Sequence, residues 1–206
     1  MKKTNIYTQS DISKWQDKCR KRQTLHYAET DSYLYDALDR YSIKGNDVLI
    51  IGSQEPCYEA LALLNRANSV TVVEFIDLKY DHPNIKYINA LEFKDTKELY
   101  DCALSISSVE HSGLGRYGDP IEEDGDLQSM GILLDKLKDG GVCFLAVPVG
   151  NDRIEGNLHR VYGERRLPML LSGWDVVEKI GFDNEIFHSK NKRNQPLFVL
   201  KKKGKQ

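Results

Sequence analysis

The sequence predicts an α/β fold, a mostly parallel sheet with helices on both faces and an N-terminal helical cap. Three observations carry that expectation. From Val48 onward, short apolar runs of strand length alternate with segments whose apolar residues recur at helical spacing, the alternation that builds parallel sheets. The runs VLII, VTVVEF and VCFLAVP are apolar throughout, as strands buried on both faces are. The first forty-odd residues, by contrast, carry helical periodicity only. The chain therefore divides into a helical cap over residues 1–45 and an α/β domain over 46–206.

The elements follow in order. In DISKWQDKCRKRQ, Ile12, Trp15 and Cys19 recur at helical spacing, with Asp11 as the expected cap. Thr30 to Tyr41 places Leu34, Ala37, Leu38 and Tyr41 on one face, with Thr30 or Asp31 as its cap. Gly45-Asn46-Asp47 is a turn. VLII, closed by Gly52, is the first strand, and Tyr58, Leu61, Ala62 and Asn65 mark the helix after it. Val70–Phe75, Ile85–Ala90 and Asp101–Ser107 supply the second, third and fourth strands. Leu127 to Leu137 is a helix stopped at Lys138-Asp139-Gly140-Gly141. Val142–Pro148 is the fifth strand, Leu167–Leu171 a short helix, Trp174–Ile180 the sixth strand and Pro196–Lys202 the seventh. The basic tail KKKGKQ is a solvated terminus.

Composition narrows the function. The 206 residues are 40% apolar and 29% charged, an ordinary globular balance. A net charge of −2 supplies no basic field for a nucleic-acid backbone. The longest apolar runs, Val48–Ile51 and Val142–Val149, fall short of the roughly 18–20 residues that span a bilayer. The start MKKTNIYTQSDISKW has no apolar core of a secretory signal, so a cytoplasmic location is expected. Cys19, Cys57, Cys102 and Cys143 lie far apart with no C-x-x-C spacing. They read as reduced thiols rather than a zinc site or redox pair.

Ligands of open α/β sheets bind beyond the carboxyl ends of the strands. The residues to weigh there are Gly52-Ser53-Gln54-Glu55 after the first strand and Glu74-Phe75 at the end of the second. A dinucleotide needs G-x-G-x-x-G for its pyrophosphate, but this loop has one glycine and Glu55 repels phosphate. A ribose-bearing ligand without phosphates, with Glu74 accepting its hydroxyl protons, fits better. S-adenosylmethionine is such a ligand.

Together these segments resemble a class I S-adenosylmethionine-dependent methyltransferase over Val48 to Lys202. VLIIG is similar to the first motif and VTVVEF to the second. DCALSISSVEH is similar to the fourth-strand segment, and LKDGGVCFLAVP to the fifth-strand motif, the most specific of the set. The first motif departs from the usual pattern at Ile50, where an acid is usual, and at Gln54, where a second glycine is usual. SSVEHSGLGRYGDP, DGDL and HRVYGERRLPMLLSGW further resemble a small family labelled as a domain of unknown function, numbered 268. The resemblance implies a Rossmann-like methyltransferase fold with a seven-stranded sheet. It also implies a cofactor held by Gly52, Ser53, Gln54, Glu55, Glu74, Phe75, Asn89, Ala90, Ser107 and Ser108, and a glycan or sugar precursor from surface-polysaccharide pathways as acceptor.

Methylating a hydroxyl requires alignment and removal of a proton. Glu110 or His111, after the fourth strand, and His159 are the candidate bases. The glycine- and acid-rich stretch Ser112–Asp126 is expected to form a long loop over the pocket, with Arg116, Tyr117 and Asp119 toward the acceptor. Glu122, Glu123, Asp124 and Asp126 read as a solvated acidic helix start. Arg160, Arg165 and Arg166 either fork onto an anionic acceptor, with Tyr162 stacking on a ring, or pair on the surface with Glu155 and Glu164. Glu110, His111, His159 and Asp119 show too little ligand spacing for a metal site, and none is expected. His26, His82 and His188 read as surface or packing residues. The helical cap belongs to the acceptor pocket or to a homodimer contact. A non-catalytic binding or assembly protein on the same fold is the alternative function.

Overall fold

The computed structural model describes residues 4–189 and 192–204, so Lys205 and Gln206 of the basic tail and Met1–Lys3 of the N-terminal start lie outside the described residues. Strand β1 (Asn5–Thr8) leads directly into α1 (Gln9–Arg20), and a loop connects to α2 (Ala28–Arg40). Then come β2 (Asp47–Ile51), α3 (Cys57–Leu64), β3 (Ser69–Glu74), β4 (Leu78–Asp81), β5 (Ile85–Asn89), the single turn α4 (Ala90–Phe93) and β6 (Tyr100–Ile106). A 3-10 turn over Val109–His111 and a loop precede α5 (Gly125–Lys136) and β7 (Leu137–Ala146). The short strands β8 (Val149–Gly150), β9 (Arg153–Glu155) and β10 (His159–Val161) lead to α6 (Arg166–Leu170), β11 (Trp174–Ile180), β12 (Arg193–Asn194) and β13 (Leu197–Lys202).

Seven strands form one sheet in the order β11-β13-β7-β6-β2-β3-β5. The five strands from β7 to β5 are parallel, and β13 runs antiparallel to both its neighbours. All seven strands read from the sequence are present. Their runs are apolar throughout because both faces are buried. Val48 and Ile50 point to the face covered by α1, α2 and α3, where Leu34, Ala37 and Leu61 pack. Leu49 points to the opposite face with Met130 and Leu133 of α5 and Leu170 of α6. Each such Val or Leu contributes about 1.5–3 kcal/mol by leaving water.

Some local expectations are corrected. The N-cap of α1 is Thr8, and Asp11 is its reciprocal partner, accepting from the Thr8 N–H at 3.0 Å. Helix α2 begins at Ala28 with Tyr27 as N-cap. Asp31 instead gathers the N–H groups of Leu25, His26 and Tyr27 at 2.7, 2.8 and 2.8 Å, fixing the bend between α1 and α2. Thr30 donates across the fold to the Gln195 carbonyl at 2.7 Å. At the other end of the chain, Lys138–Gly141 lies inside β7, which starts at Leu137 with no intervening loop. The pairs β1·β4, β9·β10 and β8·β12 were not anticipated. They are short, and β1 and β9 alternate part-buried with exposed residues, so they carry no apolar run.

Candidate functional site

The strand order reverses between β2 and β6, and beyond their carboxyl ends lies a cavity of about 430 Å³. Gly52 makes the turn out of β2 at φ +74°, a left-handed conformation that suits glycine. A Cβ there would sit 2.1 Å from Ser108 Oγ, so the β2 and β6 ends approach as closely as they do because this residue has no side chain. Ser53, Gln54 and Glu55 continue the wall. Opposite stands Glu74, 8% exposed, whose Oε1 accepts the Phe75 N–H at 2.9 Å. Burial pushes its pKa up, while the N–H groups of Phe75, Ile76 and Ser53 act the other way. Beyond it Phe75, Ala90, Leu91, Phe93, Ile132 and Leu133 form an apolar slot. Asn89 does not line the cavity. Its side chain caps α4 through the Leu91 N–H at 3.0 Å and donates to the Tyr87 hydroxyl at 3.2 Å.

Beneath the loop lies a carboxyl that the sequence reading missed. Glu59 is 0% exposed, and its Oε1 accepts the Tyr80 hydroxyl at 2.7 Å. Ser53 Oγ stands 3.0 Å from Glu59 Oε2 and 2.9 Å from the Glu55 carbonyl. A hydroxyl has one proton, so both contacts are satisfied together only when Glu59 donates to Ser53 and Ser53 donates to Glu55. Burial pushes Glu59 up to about 7, in keeping with that neutral form. Because the folded-state value lies above the unfolded one, the contribution of Glu59 to stability is fully present below the unfolded value and is lost as pH rises through the folded value. Glu59→Gln reproduces the neutral pattern. Urea unfolding should show it about 3 kcal/mol more stable than the wild type at pH 8 and little changed near pH 4.5. Equal loss at both pH values would refute this account.

At the end of β6, Ser107 takes φ +52°, a strained value for a residue with a side chain. Its Oγ donates to Glu110 Oε1 at 2.7 Å, and the Tyr27 hydroxyl faces it. Glu110 is 0% exposed, its Oε2 has no partner, and burial pushes its pKa up to about 7. His111 lines the cavity, with Nε2 3.8 Å from Glu110 Oε1. Its Nδ1 lies on the Leu158 carbonyl, which fixes that nitrogen as the donor and leaves Nε2 free to accept a proton. Burial holds His111 below its usual pKa against the raising effect of that carbonyl. His159 stands edge-on to His111 at 6.1 Å between ring centres but is outside the cavity, against Glu155 at 3.2 Å.

The loop before α5 folds on itself. Asp119 accepts the N–H groups of Gly113, Gly115 and Tyr117 at 2.8, 3.0 and 3.1 Å, so its carboxylate braces the loop while the residue borders the cavity. Tyr117 faces the cavity and packs edge-on against His111, whereas Arg116 is exposed beside it. The arginine expectations are corrected. Arg160, 2% exposed, donates to the carbonyls of Ser112, Glu122 and Glu123 at 2.5, 3.2 and 2.9 Å, tying both ends of the loop. Arg166 grips Asp126 through Nε at 2.9 Å and Nη2 at 2.6 Å, and Tyr162, fully buried, donates to it at 3.0 Å. None of these three residues lines the cavity, and their polar groups are engaged within this network instead. Arg165 is exposed, its N–H on Asp152 at 2.9 Å. Asp126 is 0% exposed, a buried counter-ion rather than a solvated helix start. Glu122, Glu123 and Asp124 are exposed.

His26, read as peripheral, lines the cavity with Tyr27 and Tyr58. Its imidazole lies 6.2 Å from the Tyr58 ring and 3.8 Å from Glu55. The bend held by Asp31 brings it there, and only the non-helical break between two helical patterns hinted at it. Among the described residues no group of three or more His, Cys, Asp or Glu side chains is placed to hold a metal ion.

A family model described as Caenorhabditis protein of unknown function, DUF268, matches residues 45–203. The chain belongs to that family. In this DUF268 chain the match runs from the turn before β2 to just past β13, taking in the whole seven-stranded sheet. No curated protein sequence matches it. Among solved structures, the N-methyltransferase NodS from Bradyrhizobium japonicum WM9 is 16% identical, with a TM-score of 0.53 over 82% of this chain and 93% of that one. The same enzyme in complex with S-adenosyl-L-homocysteine is 15% identical, TM-score 0.53, over 84% and 87%. An S-adenosylmethionine-dependent methyltransferase from Clostridium acetobutylicum ATCC 824 is 11% identical, TM-score 0.55, over 95% and 99%. At such identities the likeness is one of fold, and the DUF268 chain has the Rossmann-like fold of class I methyltransferases.

Proposed function

We propose that this chain is an S-adenosylmethionine-dependent O-methyltransferase acting on a small, carbohydrate-related acceptor. The observation that carries the proposal is the pairing of Glu74 with the glycine turn at Gly52 on one wall of a cavity that continues into an apolar slot. A carboxylate accepts both hydroxyl protons of a ribose, and the slot of Phe75, Ala90 and Leu91 suits a planar base. The residues present therefore fit the cofactor. When bound, it supplies an electrophilic methyl group on a sulfonium. Glu74 then holds the ribose, and the Gly52–Glu55 loop faces the amino-acid portion. His111, with Nε2 free, or Glu110 behind it accepts the proton of the acceptor hydroxyl.

The acceptor side is lined by Tyr27, His26 and Tyr117, ring surfaces on which a sugar can stack. His26 and Tyr27 come from the N-terminal segment, which supports a role for the helical cap in acceptor binding. With Arg160 and Arg166 committed to Asp126, the cations left for a phosphorylated sugar include Lys94, which lines the cavity, and Arg116, exposed beside Tyr117. Membership of surface-polysaccharide biosynthesis rests on the family resemblance. A cytoplasmic site of action is supported by four free, buried cysteines.

Isothermal titration with S-adenosylhomocysteine tests the proposal. Micromolar binding is expected, weakened about 10- to 150-fold in Glu74→Ala, the loss of a hydrogen-bonded charged group. Absence of binding by the wild type would favour the non-catalytic binding protein on the same fold. Binding unaffected by Glu74→Ala would remove the ribose assignment.

A further inference from the structure

Ser107 combines features that cofactor contact alone does not explain. It is a non-glycine residue at φ +52° on the cavity wall, at the carboxyl end of β6, next to the switch point. Left-handed backbone is unfavourable for a residue that carries a side chain, and glycine would avoid that cost. What glycine would lack is the hydroxyl, which donates to Glu110 Oε1 at 2.7 Å. Glu110 in turn is a fully buried carboxyl with one oxygen unpartnered, an arrangement that costs stability. The groups facing this pair come from every side. Tyr27 enters from the bend before α2, His111 from the 3-10 turn, Arg160 from β10 through the Glu110 carbonyl, Tyr162 from the residue after β10, and Arg193 from β12 by its charge.

We propose that Ser107 is a catalytic residue, a proton relay that takes the acceptor's hydroxyl proton and passes its own to Glu110. This rests on the methyl-transfer function and deepens it. As the acceptor oxygen forms its bond to the methyl carbon, the carbon–sulfur bond breaks with its electron pair going to sulfur, S-adenosylhomocysteine being the leaving group. The acceptor's O–H bond breaks with its proton going to Ser107 Oγ. The Ser107 O–H bond breaks in the same movement, and its proton goes to Glu110 Oε1. The O–H bonding pair stays on the acceptor oxygen, which ends as a neutral ether. The carboxylate charge of Glu110 is neutralised as the positive charge on sulfur is lost. The relay then runs in reverse, Glu110 returning its proton to Ser107 Oγ as the Ser107 hydroxyl gives its own to water in the cavity that it lines. Burial of Glu110, which brings its titration to about 7, makes it a proton acceptor of suitable strength near neutral pH.

Infrared pH titration of the full chain tests the pair in wild type, Glu110→Gln, Ser107→Ala and Ser107→Gly. Ser107→Gly also relieves the backbone strain, so the hydroxyl and the strain are separated. The expected result is a carboxylic-acid signal with a midpoint near 7 from which Glu110→Gln removes the Glu110 component and leaves that of Glu59. In both Ser107 variants the midpoint should rise by about half a pH unit or more, since the lost hydroxyl supported the carboxylate. S-adenosylhomocysteine affinity of Ser107→Gly should stay within about threefold of wild type. On a phosphorylated sugar that serves as acceptor, kcat should fall about 100-fold in both variants and the acid limb of the pH profile should disappear. Three outcomes overturn the relay: no Glu110-dependent band, a band titrating identically in wild type and Ser107 variants, or loss of S-adenosylhomocysteine binding in Ser107→Gly, which would assign the hydroxyl to the cofactor. Failure of the wild type to bind S-adenosylhomocysteine is a separate result and overturns methyl transfer itself.

Discussion

Replacing Asp126 by alanine is expected to destabilise the chain by about 3–5 kcal/mol, read as a fall in the urea midpoint at unchanged slope. The carboxylate is fully buried and accepts from Tyr162 and twice from Arg166, while Arg160 Nε lies 3.6 Å away. Without it a guanidinium at 2% exposure loses its counter-charge but cannot reach water. Against a typical total of about 5–15 kcal/mol, that is a large share. The damage should also reach the cavity, because Arg160 holds the carbonyls at both ends of the Tyr117 loop. Asp126→Asn keeps the shape and an acceptor while losing the charge, so it should fall between the two. A change below about 1 kcal/mol in Asp126→Ala would show that the network is not what fixes this region.

Gly52→Ala should abolish S-adenosylhomocysteine binding and cost about 2–5 kcal/mol of stability. About 1–2 kcal/mol comes from the left-handed backbone at φ +74°. A further 1–3 kcal/mol, roughly, comes from overpacking a methyl 2.1 Å from Ser108 Oγ. The two parts separate by a second substitution. Ser108→Gly in the Gly52→Ala background removes the clash and leaves the backbone strain, so it should restore part of the melting temperature. Strictly additive losses in the double variant would mean that the two residues do not meet.

The main sheet was legible because each strand is buried on both faces. Val48, Leu49 and Ile50 point alternately to two different cores, which turns burial into an uninterrupted apolar run. Helix α3 was legible from Tyr58, Leu61 and Ala62 on one side. The cavity wall was legible where it depends on backbone turns at strand ends, as at Gly52 and Glu74. It was not legible where a side chain's role is set by a partner distant in the chain. Asp126 looks like an ordinary acid at a helix start, and Arg160 and Arg166 bury it from 34 and 40 residues away. Glu59 sits among apolar neighbours in α3, and nothing local says that Ser53 and Tyr80 enclose it. His26 reaches the cavity through a bend organised by Asp31, a contact that periodicity does not record. Strand β1 pairs with β4 while Ile6 stays 59% exposed, so it lacks the burial that makes a strand visible in sequence.

The position of β13 bears on how the chain assembles as it is made. Leu197–Lys202 is the latest in sequence of the seven strands of this sheet, yet it lies between β11 and β7. Synthesis delivers residues from the amino end, so Leu137–Ala146 is in place as an open edge long before its neighbour is translated. In that interval its Phe144 and Leu145 are paired only on the β6 side, and β11 has not yet met the strand it pairs with. A ribosome-bound chain halted before residue 197 should therefore be sticky and protease-sensitive around residues 137–180, while β2, β3, β5 and β6 are already protected. The sheet closes only when the final strand slides between two that have been waiting for it.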